Sequence, residues 1–160
     1  MVSVIIPTHN RENYLPETLR SVFSQSYRPI ECIIIDDGST DSTEKLVKDF
    51  IVRASDDHQF DVIYEHQENA GTQVARNNGT LISKGEFIQY LDSDDLIYAD
   101  KIEKQVDFLK NNISVDGVYG DWDRGSALQK KNVRPAHGED LISDILGKHS
   151  IVVFSLLIRR

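Results

Sequence analysis

Ile30-Glu31-Cys32-Ile33-Ile34-Ile35-Asp36-Asp37-Gly38-Ser39-Thr40-Asp41 is the stretch that decides the fold. Its first half is a short, nearly continuous apolar run without alternation, which is how a strand buried on both faces reads. The run breaks at Asp36-Asp37-Gly38-Ser39, where glycine permits an unusual backbone angle and Asp and Ser side chains bond local amides. Asp41 and Glu44 then resemble a capped helix start, and Leu46, Val47 and Phe50 give that helix its apolar face. A buried strand, an acidic turn and an amphipathic helix together form one unit of a parallel α/β sheet.

The same unit recurs on either side. Val2–Ile6 is an apolar run ended by Pro7, followed by Tyr14, Leu15, Leu19, Val22 and Phe23 at helical spacing, with Asn13 as the expected cap and Pro16 in the first turn. Phe60–Tyr64 reads as a third strand. Gly71 precedes a helix over Thr72–Ile82, which Gly85 stops. Glu86–Leu91 reads as a fourth strand and ends at Asp92-Ser93-Asp94-Asp95. A helix over Ala99–Asn111 buries Ile102, Val106 and Leu109, and Val115–Tyr119 reads as a strand. Asp121–Gly138 has weak periodicity and reads as loop or poorly ordered structure. A short helix at Asp140–Leu146 and a strand at Ile151–Ile158 complete the pattern. The fold class is therefore α/β, a mostly parallel sheet flanked by helices, whose ligands bind beyond the carboxyl ends of the strands.

Composition narrows the function classes. The 160 residues suit one domain, and 39% hydrophobic with 28% charged residues excludes a disordered or fibrous chain. Acidic residues outnumber basic ones 26 to 18, a formal charge of −8, which argues against nucleic acid as a partner. The single cysteine, Cys32, excludes an intrachain disulfide and reads as a small buried hydrophobe. Its usage fits a reducing compartment, so the expected location is cytoplasmic, with peripheral attachment at the inner membrane face as a variant for a longer chain. No apolar run approaches the ~18 residues of a membrane span.

Three of the four residues in Asp92-Ser93-Asp94-Asp95 are carboxylates. In extended backbone Asp92 and Asp94 point to one side, which suits Mg²⁺ or Mn²⁺ with substrate phosphates as further ligands. An Asp-rich helix start before Leu96 is the plainer alternative. Asp36-Asp37 likewise reads either as turn chemistry or as a hydrogen-bond acceptor for a base or sugar. Arg76 reads as a phosphate-neutralising group or an exposed helix charge, and Arg11 either serves similarly or pairs with Glu12. Neither a GxGxxG nor a P-loop motif is present, which counts against a nicotinamide dehydrogenase and a P-loop ATPase. The five histidines form no triad, although His9 sits at the exit of the first strand. Tyr119 and Trp122, near another strand exit, read as an acceptor platform or as core packing.

Taken in order, Val2-Ser3-Val4-Ile5-Ile6-Pro7-Thr8-His9-Asn10-Arg11, Ile33-Ile34-Ile35-Asp36-Asp37-Gly38-Ser39-Thr40-Asp41, Asn69-Ala70-Gly71 through Gly79, and Tyr90-Leu91-Asp92-Ser93-Asp94-Asp95 resemble the motifs of family 2 glycosyltransferases with a GT-A, Rossmann-like fold. The resemblance covers residues 2–95, and the later pattern fits its continuation. It implies metal-assisted transfer, with inversion, of a sugar from a nucleotide-sugar donor, commonly UDP-linked, to a saccharide, glycolipid or other hydroxyl acceptor, as in polysaccharide biosynthesis.

The resemblance also implies roles. Pro7, Thr8 and Asn10 would line the nucleotide pocket, Asp36 or Asp37 would contact the base, and Arg76 would hold the diphosphate region. Asp92 would orient the ribose or a metal-bound water, Asp94 would coordinate Mn²⁺ or Mg²⁺, and Asp95 would support the loop. Apart from the resemblance, Asp121 and Asp123 read as lying by the sugar or acceptor, from their place beside Trp122, and not as replacements for a general base. The family's general base belongs to a later acceptor-side segment, and Ser155–Arg160 comes before it, so no base is assigned. Residues 1–160 are thus expected to form a single nucleotide-sugar-binding domain truncated on the acceptor side. A sugar-phosphate nucleotidyltransferase and a noncatalytic nucleotide-binding or interaction module are the competing readings.

Overall fold

The computed structural model describes residues 1–124, 131–133 and 153–160. Four strand–helix units follow one another: β1 (Val2–Thr8), α1 (Leu15–Phe23), β2 (Ile30–Asp37), α2 (Thr43–Ala54), β3 (Phe60–Gln67), α3 (Thr72–Ile82), β4 (Phe87–Tyr90) and α4 (Lys101–Asn111). After them come β5 (Gly117–Tyr119), β6 (Trp122–Arg124), β7 (Lys131–Val133), a 3₁₀ turn at Val153–Ser155 and β8 (Leu156–Arg159). The six-stranded sheet has the order β3-β2-β1-β4-β8-β5. β1 pairs in parallel with both β2 and β4, and β2 pairs in parallel with β3. The chain is thus α/β with a mixed, mostly parallel sheet between helices, a Rossmann-like core of the GT-A type.

The unbroken apolar runs have the expected cause. Every residue of β1 and β2 is buried, because helices cover both sheet faces. Val2, Val4 and Ile6 of β1 join Ile30, Cys32 and Ile34 of β2 on one face, packed by Leu15, Leu19 and Val22 of α1, Val47 of α2, and Ile102, Val106 and Leu109 of α4. Ile5, Ile33 and Ile35 point the other way and meet Ala75 of α3 and Ile88. Cys32 is fully buried, and desolvation pushes its thiol up to about 12, so it behaves as the small hydrophobe its neighbours suggested.

Several local expectations need correction. The cap of α1 is Tyr14, not Asn13, and it makes no side-chain capping bond. The cap of α2 is Ser42. Asp41 serves that helix from one position earlier, its Oδ1 accepting the Thr43 N–H at 3.0 Å. The final strand is shorter than expected and runs antiparallel between β4 and β5. Part of the segment read as loop, Trp122–Arg124 and Lys131–Val133, forms a two-stranded antiparallel ribbon. The expected helix at Asp140–Leu146 lies outside the described residues. No helix among the described residues is long and apolar enough to cross a membrane.

Candidate functional site

The strand order reverses direction between β1 and β4, so the loops leaving those strands diverge and open a crevice at their carboxyl ends. A cleft of about 680 Å³ lies there, lined by the β1 exit (Pro7 to Arg11), Asp37, the start of α3 (Thr72, Gln73, Arg76) and the β4 exit (Asp92 to Asp94). Each wall is held in place by bonds that the local sequence dictates.

The β1 exit is laced to the β2 exit. Asn10 adopts a left-handed backbone (φ 51°), which Asn tolerates better than most residues. Its N–H donates to Ser39 Oγ at 2.8 Å, and its Oδ1 accepts the Thr40 N–H at 2.8 Å. His9 Nδ1 donates to the Asp37 carbonyl at 2.8 Å. That leaves Nε2 as the acceptor for the Asn10 amide at 3.2 Å. Glu12 does not pair with Arg11; its Oε2 instead accepts the Ser42 N–H at 2.9 Å.

The two carboxylates after β2 have distinct surroundings. Asp36 is buried, bonded by the Tyr64 hydroxyl at 2.7 Å and the Ser39 N–H at 2.9 Å, and lies outside the cleft lining. Asp37 accepts the N–H groups of Ala70 and Gly71, each at 2.8 Å, and the Gln67 amide at 2.7 Å. Burial pushes its carboxyl up, but those three bonds and the nearby His9 outweigh burial and hold it below its ordinary value. The bonds pin the Gly-rich turn before α3. Gly71, at φ 92°, turns the chain into α3, whose first residues, Thr72 and Gln73, line the cleft.

Opposite stands the acidic loop. The Leu91 N–H donates to the Ile5 carbonyl at 3.0 Å, carrying the β1–β4 pairing right up to Asp92. Thr18 of α1 fixes the loop by donating to the Ser93 carbonyl at 3.0 Å, and the Asp95 N–H closes a turn on the Asp92 carbonyl at 3.0 Å. Asp92 Oδ1 accepts a 2.5 Å bond from Arg76, whose side chain is mostly buried. Asp94 is exposed, with Arg11 at 3.9 Å. Burial first, and then the charges of Asp92 and Asp94, raise the Asp95 carboxyl to about 6.

These features bear on whether a divalent cation and an anionic ligand suit the site. The donor set is hard oxygen, and although burial is the larger cause of the Asp95 shift, the added repulsion from Asp92 and Asp94 is what a cation beside them would relieve. Thr8 Oγ1 and Arg76 Nε are buried on the cleft wall with no hydrogen-bond partner among the described residues, which marks them as groups awaiting one. No group of three or more His, Cys, Asp or Glu side chains poised for a metal occurs among the described residues, so a cation here would need oxygens from a ligand to complete its shell.

Residues 3–153 match the model of glycosyl transferase family 2. The chain belongs to that family. As a family 2 domain it is 37% identical over 121 residues to the glycosyltransferase GlyA of Streptococcus pneumoniae, covering 74% of this chain and 17% of GlyA. It superposes with a TM-score of 0.74 and 25% identity on the S. aureus TarS 1-349 crystal structure in complex with UDP-GlcNAc, over 99% of this chain and 45% of that one. The mannosyltransferase PcManGT from Pyrobaculum calidifontis, in complex with GDP-Man and Mn²⁺, is similar with a TM-score of 0.61 and 27% identity, over 74% of this chain and 34% of that one. The domain thus spans less than half the length of these three relatives.

Of the residues singled out from sequence, Pro7, Thr8, Asn10, Asp37, Arg76, Asp92 and Asp94 all line the cleft of this family 2 domain, and Asp36 does not. Thr72, Gln73 and Ser93 line it too and were not singled out. Gly71 before a helix start was the available signal for Thr72 and Gln73. Asp95, Asp121 and Asp123 belong to a neighbouring cavity, which also contains Lys101.

Proposed function

We propose that this domain binds the nucleotide-sugar donor of a glycosyltransferase that moves the sugar to a hydroxyl acceptor with inversion. One observation carries the reading: a cation, Arg76, and two carboxylates, Asp92 and Asp94, converge on a switch-point cleft into whose walls two buried polar atoms without a partner among the described residues, Thr8 Oγ1 and Arg76 Nε, are set. Family membership supports it, as do relatives solved with UDP-GlcNAc and with GDP-Man and Mn²⁺.

In this reading Pro7, Thr8 and Asn10 bound the nucleoside. Asp37 holds the Ala70-Gly71 turn over it and presents its remaining carboxylate acceptor capacity to the base or ribose. Arg76 balances diphosphate charge. Asp94, with Asp92, would hold Mn²⁺ or Mg²⁺, which when bound supplies Lewis-acid stabilisation of the departing nucleoside diphosphate. The acceptor oxygen bonds to the anomeric carbon opposite the diphosphate. The bond from that carbon to the phosphate oxygen breaks, its electron pair leaves with the diphosphate, and the acceptor proton passes to a base. Residues 1–160 act in this scheme as a single donor-binding unit.

Isothermal titration with UDP, GDP, UDP-GlcNAc and GDP-mannose, each with and without Mn²⁺, tests the proposal. We expect metal-dependent binding of at least one nucleotide and at least a tenfold loss in Asp94→Ala. No detectable binding of any ligand would sink it.

A further inference from the structure

Lys101, the first residue of α4, sits in an unusual place. A lysine at a helix start faces the positive end of the helix dipole, where a cation is disfavoured. It is also desolvated, and burial pulls its ammonium down to about 7. No carboxylate forms an ion pair with it among the described residues. Its Nζ donates to two neutral acceptors, Gln89 Oε1 and, at 2.6 Å, Gln105 Oε1.

Those two amides are locked. Gln89 Nε2 donates to the carbonyls of Tyr90 at 2.6 Å and Phe154 at 2.9 Å. Gln105 Nε2 donates to the carbonyls of Ser155 at 2.9 Å and Val118 at 3.3 Å. With both nitrogens committed to carbonyls, both oxygens must face Nζ. Two strands (β4 and β5), the 3₁₀ turn and α4 thus cooperate to fix one ammonium. An ammonium has three N–H donors, two are used, and the third has no partner among the described residues.

Lys101 lines a second cavity of about 750 Å³, which shares Asp94 with the nucleotide cleft and continues past Asp95 to Asp121 and Asp123. A group attached to a diphosphate held at Asp94 would extend into it. The other lining cation, Arg20, lies at 3.9 Å from Glu17. An acidic lining repels a free anion but suits a neutral polyol, whose hydroxyls donate to carboxylates. Such a ligand also has oxygens that must accept, and Lys101 is the fixed donor available to them.

Resting on the proposed donor-binding function, we infer that Lys101 is a specificity-determining residue whose third N–H bonds a hydroxyl or carbonyl oxygen of a neutral hexose, the sugar of the donor, seated in this cavity. The test compares each nucleotide with its sugar conjugate, UDP with UDP-glucose and UDP-GlcNAc, and GDP with GDP-mannose, all with Mg²⁺. In Lys101→Met the affinity for UDP and GDP stays within twofold of the parent, while that for the best-bound conjugate falls at least tenfold. In ¹⁵N-lysine spectra of the parent chain, the Lys101 Nζ resonance moves with the conjugate and not with the nucleotide alone.

Equal losses for nucleotide and conjugate would mean a merely structural role, and unchanged conjugate affinity with a silent resonance would mean no contact. Either overturns the inference while leaving donor binding intact. Absence of nucleotide binding by the parent chain would instead defeat the donor-binding reading, and this inference with it. If Lys101→Met does not fold, Lys101→Gln replaces it, since its amide can still donate to the two glutamine oxygens.

Discussion

Arg76 of α3 and Asp92, just past β4, form a 2.5 Å ion pair that closes one side of the cleft. Arg76 is 15% exposed at its side chain and Asp92 41%, so the pair is half in solvent and half in protein. Its geometry positions the guanidinium more than it stabilises the fold, because partial exposure screens the attraction.

Arg76→Ala should therefore cost about 1–2 kcal/mol of stability, mainly by leaving Asp92 unpaired. Its effect on ligand should be larger, with UDP affinity in the presence of Mn²⁺ falling at least tenfold. Arg76→Lys should recover the stability but little of the affinity, because an ammonium cannot reproduce the planar fork. Thermal melts and calorimetric titration of the two variants separate these effects.

Asp37→Ala removes the acceptor for Ala70, Gly71 and Gln67 and should destabilise the domain by about 2–4 kcal/mol. The folded carboxyl lies below its ordinary value of 3.8. Its contribution is thus complete above that value and lost as pH falls through the lower folded value. Urea denaturation at pH 7 and pH 3 should show the gap between parent and variant narrowing at the lower pH.

Asp95 has the opposite sign. Its folded value of about 6 exceeds the ordinary 3.8, so folding favours the protonated acid. That stabilisation is full below 3.8 and is lost as pH rises to about 6. In EDTA, Asp95→Asn should gain about 1 kcal/mol at pH 7, a figure already reduced for solvent screening, and nothing at pH 3. An equal gain at both pH values would contradict this account.

Gly79 marks where α3 lies against β1 and β2. A Cβ added there would come within 2.5 Å of Ile5 Cγ2 and 3.3 Å of Ile35 Cγ1. Alanine favours a helix over glycine by about 1 kcal/mol, yet overpacking should reverse the sign and leave Gly79→Ala less stable by about 1–2 kcal/mol. A melting temperature at or above that of the parent chain would show that α3 can shift outward at no cost.

Much of this arrangement was legible in the amino-acid order. The runs Val2–Ile6 and Ile30–Ile35 could only be strands buried on both faces, and the cleft-lining segments sit where those runs stop. Other features carried no local signal. Hydrophobic pattern does not encode strand direction, so Leu156–Arg159 gave no hint that it inserts antiparallel between β4 and β5. Asp36 and Asp37 are adjacent and chemically alike, yet one is consumed by Tyr64 from β3 and the other by the turn before α3. Lys101 looked like any charged residue on an amphipathic helix, because its glutamine partner on β4 is brought in only by sheet packing.

Up to the end of α4 the sequence by itself determined which segments become strands and helices, and that acidic turns follow the second and fourth strands, because periodicity and turn chemistry act over a few neighbouring residues. The tertiary structure decided which carboxylate meets which partner. Arg76 reaches Asp92 because β4 pairs with β1, so that the β4 exit opens beside the start of α3. Pairing across a sheet is a long-range choice, set by which buried faces pack together rather than by any residue's immediate neighbours.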